Sequence, residues 1–401
     1  MLKSTYRQLR DHGILGPVVG VFAFYAAAAS QSYVALWHLV QSSSAATLGA
    51  GLVGRSLVTM STPLLLGHLE DRHPHWHRHF LVVAALALAV STLPLGHSAL
   101  ALVVAPLLPA LAQSTFSQSS PRPFSATPAL TVVIGWLIDG GKLVAGLLVL
   151  LVVSSPLLRS GLILTLSAVA VIALWRIVES TRPSDSPPAP EPESPHRRGR
   201  GDPRYWPRSF WITYGALTGL SYLSGYSYDL GLTWVGRGHV RLLALMIVVA
   251  SLGALSGTAL VLRSRKFRIT RVGWALLAFW ISPLLLDSSL VALEIVGATL
   301  FGFFAAYSGQ PLRTFFWTLA PRVERSRLWA ASEFSNQLAA LLGQVLLAYT
   351  YSRVSLPTLR FLAPLVGALL VIPTLLFQRV ALGAERRLSL NLRVKDGPST
   401  L

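Results

Sequence analysis

The sequence predicts an all-α integral membrane protein, with twelve transmembrane helices arranged as two six-helix halves. Three observations carry that prediction. Of the 401 residues, 53% are hydrophobic and only 12% are charged, where a soluble domain carries roughly twice that charged share. The apolar residues also fall in continuous runs, of about the 20 residues that an α-helix needs to cross ~30 Å of hydrocarbon. Finally, the basic residues collect in alternate connections between the runs, as they do when one side of a membrane is cytoplasmic. Lipid offers no partner to an unpaired backbone group, so a closed helical bundle is the expected way to satisfy the chain.

The runs lie near 14–40, 45–66, 80–96, 98–115, 127–153 and 160–178, then near 209–228, 240–262, 272–286, 289–311, 328–351 and 357–380. The first follows Lys3, Arg7 and Arg10 and carries AAAAS at 26–30, which imitates a cleaved secretory leader. Its apolar character continues to Val40, and cleavage would put the charge alternation out of phase, so it reads as the first helix. The second contains Arg55, and the fourth carries Pro106 and Pro109. Proline is tolerable inside a span because neighbouring helices re-satisfy the freed carbonyls. The fifth is glycine-rich, with Gly135, Gly140, Gly141 and Gly146, and the ninth, 272–286, is short. Residues 179–208 interrupt the series with a segment rich in Pro, Ser and charge, expected to be a cytoplasmic linker. The organisation expected is therefore a bundle over 1–178, the linker 179–208, a second bundle over 209–383 and a tail over 384–401.

Charge orients the bundle. With a cytoplasmic N-terminus, the inner segments collect most of the 34 Lys and Arg, including seven Arg between 176 and 208. The outer loops hold Arg159, Arg237, Arg241, Arg353 and Arg360. Both termini are then cytoplasmic, in the inner (plasma) membrane, and the net charge of +18 serves topology and contact with anionic membrane lipids. No face or motif concentrates the charge as nucleic-acid binding would require. With no cysteine, there is no disulfide and no thiolate metal site. Five histidines at 68, 73, 75, 77 and 79 are read as part of a basic patch rather than a metal site. No phosphate-binding Gly-x-x-x-x-Gly-Lys-Ser/Thr loop occurs. No cofactor, no hydrolytic site and no enzyme activity are expected, and the chain is expected to be a monomer.

The connection after the second run reads LGHLEDRHPHWHR over 66–78. Gly67, Asp71, Arg72 and Arg78 resemble the loop signature of the major facilitator superfamily of transporters, with His73, Pro74 and His75 replacing its second Gly and first basic residues. Six runs before the linker and six after it resemble the two pseudo-symmetric bundles of that fold. Pro121-Arg122 before the fifth run recurs as Pro321-Arg322 before the eleventh, a faint internal repeat. Within the superfamily the pattern is most similar to exporters of drugs, macrolides and siderophores, although the Gly-Pro of the fifth span in such antiporters is missing. The resemblance implies proton-coupled export of a small-molecule substrate by alternating access, a gate at Asp71 facing the start of the eleventh span, and a cavity lined by spans one, four, seven and ten. The decayed signature leaves a second possibility, a non-transporting membrane protein with the same fold.

Ionisable groups within spans are the functional candidates, because an unpaired charge there costs at least ~2.5–3.5 kcal/mol. Asp139 and Lys142 stand three apart on one helical face and can pair. They are either a neutralised structural pair or a proton site tuned by its lysine. Glu333 has no charged neighbour on its own helix and is the second coupling candidate, or else a carboxylate held by local hydrogen bonds near the membrane surface. Arg55 either pairs with a carboxylate across the bundle or offers a bidentate donor to an anionic substrate. Tyr25, Gln31, Tyr222 and Gln310 are candidate cavity residues, whereas Asp287 and Glu294 read as solvated charges on the outer rim.

Overall fold

The computed structural model describes residues 15–42, 45–72, 77–91, 99–119, 128–152, 211, 213–221, 240–263, 269–286, 290–319 and 331–342, with isolated positions between 161 and 172. Every helix of eight or more residues among them falls on one of the apolar runs. The first half contributes α1 (Leu15–Ser42), α2 (Ala45–Arg72), α3 (His77–Val90), α4 (Ala99–Val104), α5 (Leu107–Ser119) and α6 (Pro128–Val152). The second half contributes α7 (213–221), α8 (Val240–Arg263), α9 (Ile269–Leu286), α10 (Val291–Leu319) and α11 (331–342). The twelfth run, most of the sixth, the linker and the tail lie outside the described residues.

Three boundaries differ from expectation. The fourth run splits into α4 and α5 at Ala105-Pro106, because proline lacks the N–H that would continue the ladder and its ring crowds the preceding turn. By contrast, α10 runs through Pro311 to Leu319, which carries the helix beyond the apolar run and brings Arg313 onto it. Likewise α2 continues to Arg72. Gly67, Asp71 and Arg72 thus occupy the last turns of a helix rather than a loop, and Arg78 lies in the first turn of α3.

Packing follows small residues. In the first half, Ala23, Ala27 and Ala28 of α1 share one buried cluster with Ala84 and Leu88 of α3 and Ala112 of α5, while Phe24 stacks on Phe116 with ring centroids 4.2 Å apart. A Cβ on Gly141 of α6 would come within 2.9 Å of the Ala26 backbone nitrogen of α1. A Cβ on Gly302 of α10 would overlap the Ala250 carbonyl of α8. Lipid tails are as apolar as leucine, so such close backbone approach, rather than water exclusion, drives helix association.

The halves meet where α6 crosses α8. Gly146 faces Ile247 and Val248, whose side chains would lie 3.0 and 3.1 Å from an added Cβ. Ala29 and Tyr33 of α1, Ala145 of α6 and Ala244 and Ile247 of α8 form one buried cluster across the junction. The missing Gly-Pro has therefore not prevented tight α6–α8 contact, since glycine alone supplies the space. Large apolar side chains cover the outside, Leu65, Leu86, Leu100, Trp274 and Leu290 among them. By length and composition, Ala244–Arg263 and Val291–Arg313 suffice to cross a membrane.

Candidate functional site, a charged cavity between the halves

Between the halves lies a cavity of about 480 Å³, lined by α1, α2, α5, α6, α7, α8, α10 and α11. Five sequence candidates from four different helices line it together: Arg55, Asp139 with Lys142, Gln310 and Glu333. The charged positions come from α2, α6, α10 and α11, not from the first, fourth, seventh and tenth spans alone. The fourth span supplies Gln113, and the seventh supplies Leu217, Leu220 and Ser221.

Asp139 is buried on α6. Its Oδ1 lies 3.7 Å from the Lys142 Nζ one turn on, the pairing that a spacing of three on a helix permits. Its Oδ2 accepts a hydrogen bond from the Thr258 hydroxyl of α8 at 3.5 Å, a contact across the junction. Glu333 on α11 accepts from the Gln337 amide at 3.0 Å. The Gln337 carbonyl oxygen in turn accepts from the Thr59 hydroxyl of α2 at 3.1 Å. One carboxylate is thus neutralised by an ammonium, the other is solvated by an amide, and each network reaches the opposite half.

Arg55 lies on α2 one turn before Thr59, and Arg313 lies on α10. Both line the cavity, and no ion pair to a carboxylate forms at either among the described residues. Among the described residues, three further buried polar atoms have no hydrogen-bond partner: the Ser32 and Thr218 hydroxyls and the Asn336 amide oxygen. Of these residues, Ser32 and Asn336 belong to the cavity wall. Gln310 reaches α6, where a Cβ on Gly135 would overlap its side-chain amide.

Other candidates lie elsewhere. Gln31 does not line this cavity. Its amide donates to the Leu88 carbonyl at 3.2 Å and its oxygen accepts from Ser91, so it fastens α1 to the end of α3. Tyr25 is not on the wall either. Its ring packs edge-on against Phe24 and Phe116, at 5.9 and 5.7 Å between centroids, although it remains within electrostatic reach of Glu333 and Arg313. Glu294, expected on a solvated rim, is buried in the first turn of α10, where a carboxylate is favoured by the helix dipole. The backbones of Gly67, Asp71, Arg72 and Arg78 are helical, but their side chains lie outside the described residues, as do Tyr222 and Asp287.

Arg313, Thr59, Thr258 and Gln337 were not singled out from the sequence. Arg313 lies beyond the tenth apolar run, 289–311, and so falls in sequence among the basic inner segments. Its spacing of three from Gln310 was the available signal, since it puts both on one helical face.

The comparisons bear on the fold. No protein-family model matches the sequence, and no curated protein matches it. Among solved structures, the chain is similar to the human organic anion transporter MFSD10 (TETRAN), with a TM-score of 0.64 over 90% of this chain and 99% of that one. The chain shares the fold of that protein. At 14% identity the likeness extends to architecture and no further.

Proposed function

We propose that this chain is a secondary active transporter that moves a small organic molecule by alternating access, with protons as the coupling ion. The observation that carries the reading is the cavity itself. It draws polar and charged side chains from both halves into one space inside a helical bundle whose outside is apolar. Rocking the halves about the α6–α8 junction would strain the Asp139–Thr258 and Thr59–Gln337 contacts, so the state of either carboxylate is coupled to the conformation. A ligand or proton shifts such an equilibrium only through its differential affinity for the two states. Net export and an inner-membrane location are the direction and place that the exporter-like sequence pattern supports.

Twelve spans with both termini cytoplasmic complete the proposal. Reporter fusions at Pro190 and at the C-terminus should both report cytoplasm, and a periplasmic signal at either removes the topology. The central experiment is flux of a panel of organic anions, cations and neutral compounds into inverted vesicles, with and without an imposed pH gradient. Gradient-dependent accumulation of at least one compound is expected. Absence of flux for all classes would favour the non-transporting alternative.

A further inference from the structure

The charged side chains of the cavity do not balance. Its wall carries Arg55, Lys142 and Arg313 against Asp139 and Glu333. Lys142 and Asp139 serve each other, and Glu333 is engaged by the Gln337 amide. The wall thus holds one positive charge in excess, and its two guanidiniums, one from each half, form no ion pair to a carboxylate among the described residues, although Arg313 also acts electrostatically on Asp139. Arginine does not shed its proton to escape this, and its planar fork fits the paired oxygens of a carboxylate, sulfonate or phosphate. Both arginines line this one cavity, and contacts between helices tie together the turns beside them. Thr59 bonds Gln337, and Tyr214 touches both Ser335 of α11 and the Phe316 ring of α10. Arg55 stands one turn from Thr59, and Arg313 one turn from Phe316. The Ser32 hydroxyl, without a hydrogen-bond partner among the described residues, adds another donor on the wall.

Beside its polar residues, the wall carries an apolar surface formed by Ala29, Leu217, Ile247, Phe301 and Ala306. A bare inorganic anion would leave that surface uncovered, and a cation would meet the excess positive charge. We infer that the cavity binds an amphipathic organic anion, a carboxylate or sulfonate on a compact apolar body, whose charge is shared by Arg55 and Arg313 from opposite halves. This rests on the reading of the cavity as the transport site and names the class of its occupant. An anion held from both sides would also draw the halves together, which is the differential affinity that alternating access requires.

The test uses two dyes with the same aromatic body, dansylsulfonate and the neutral dansylamide, titrated by fluorescence into the full-length protein in neutral detergent. The sulfonate should bind at least about ten-fold more tightly than the amide. Arg55→Gln and Arg313→Gln should each reduce that preference several-fold without weakening dansylamide, which also reports that the variants fold. Arg55→Lys and Arg313→Lys should retain part of it. Equal binding, no sulfonate binding, or a preference that survives the double Gln variant overturns the inference. Loss of sulfonate binding on adding phosphatidylglycerol assigns the site to a lipid headgroup and also overturns it. Flux in phosphatidylcholine vesicles separates this inference from the transporter reading. Transport without anion preference removes only the anion, whereas arginine-dependent binding without flux removes only transport.

Discussion

Helices α6 and α11 each bring one carboxylate to the same cavity, yet they hold it in different ways. On α6, Asp139 has a full counter-charge one turn away, 3.7 Å from its Oδ1. On α11, Glu333 has a neutral amide one turn away, at 3.0 Å. The first arrangement conserves net charge only while both members keep theirs, so altering Asp139 exposes Lys142. The second can gain or lose a proton without orphaning another ion, because an amide can serve either form of a carboxyl group. A paired carboxylate and an amide-held one therefore answer neutralisation differently, and that difference can be measured.

The largest effect is expected at α6. Asp139→Asn leaves Lys142 without its counter-ion in the bundle. Breaking a fully buried pair costs about 3–5 kcal/mol. The Lys142 side chain, however, is 47% exposed, so a loss on the order of 1–2 kcal/mol is expected here. Thermal unfolding in detergent measures it, and the double change Asp139→Asn, Lys142→Met should restore most of the stability. If the double variant also restores gradient-driven flux, the pair is structural and Asp139 does not carry the coupling proton.

A smaller structural effect and a distinct functional one are expected at α11. Glu333→Gln is nearly isosteric and keeps an oxygen for the Gln337 amide, so stability should change by less than about 1 kcal/mol. Flux should become insensitive to the imposed pH gradient if Glu333 exchanges the coupling proton. A variant as unstable as Asp139→Asn would erase the contrast between the two helices. One that folds and responds fully to the gradient would leave Asp139 as the coupling candidate.

The smallest effects belong to the hydroxyls that carry each network across the halves. Thr258→Ala removes a 3.5 Å contact to Asp139, and Thr59→Ala removes a 3.1 Å contact to Gln337. Each should cost no more than about 0.5–1.5 kcal/mol. Thr59 should cost the more of the two, tempered because its single proton is also within reach of the Ser56 carbonyl at 2.9 Å. Differential scanning fluorimetry on the two variants gives the order. A larger cost at Thr258 would mean that the α6 carboxylate depends on the opposite half more than on its own lysine.

These two helices also mark what was legible before the fold was known. The Asp139–Lys142 pair could be anticipated because both residues sit within one turn of one helix, where 3.6-residue periodicity alone sets the geometry. The apolar runs were equally plain, since the length needed to cross hydrocarbon is a property of the segment and not of its neighbours. The bond from Glu333 through Gln337 to Thr59 was not legible, because it joins positions far apart in sequence.

Gln31 and Tyr25 illustrate the missing information. Both are polar residues on α1 and suited a cavity wall, yet Gln31 turns to α3 and Tyr25 packs against Phe116 of α5. In a soluble helix a polar stripe identifies the outer face and an apolar stripe the core. A helix in lipid is apolar nearly all round, so its sequence does not reveal how it is rotated about its own axis. Segment, local pairing and the expected excess of cytoplasmic positive charge belong to the sequence alone. Rotation was decided by close approach at small residues such as Gly141 and Gly302, and with it the meeting of Arg55, Arg313, Asp139 and Glu333 in one cavity. Only the tertiary structure could decide that, because van der Waals contact between distant helices has no trace in the periodicity of either.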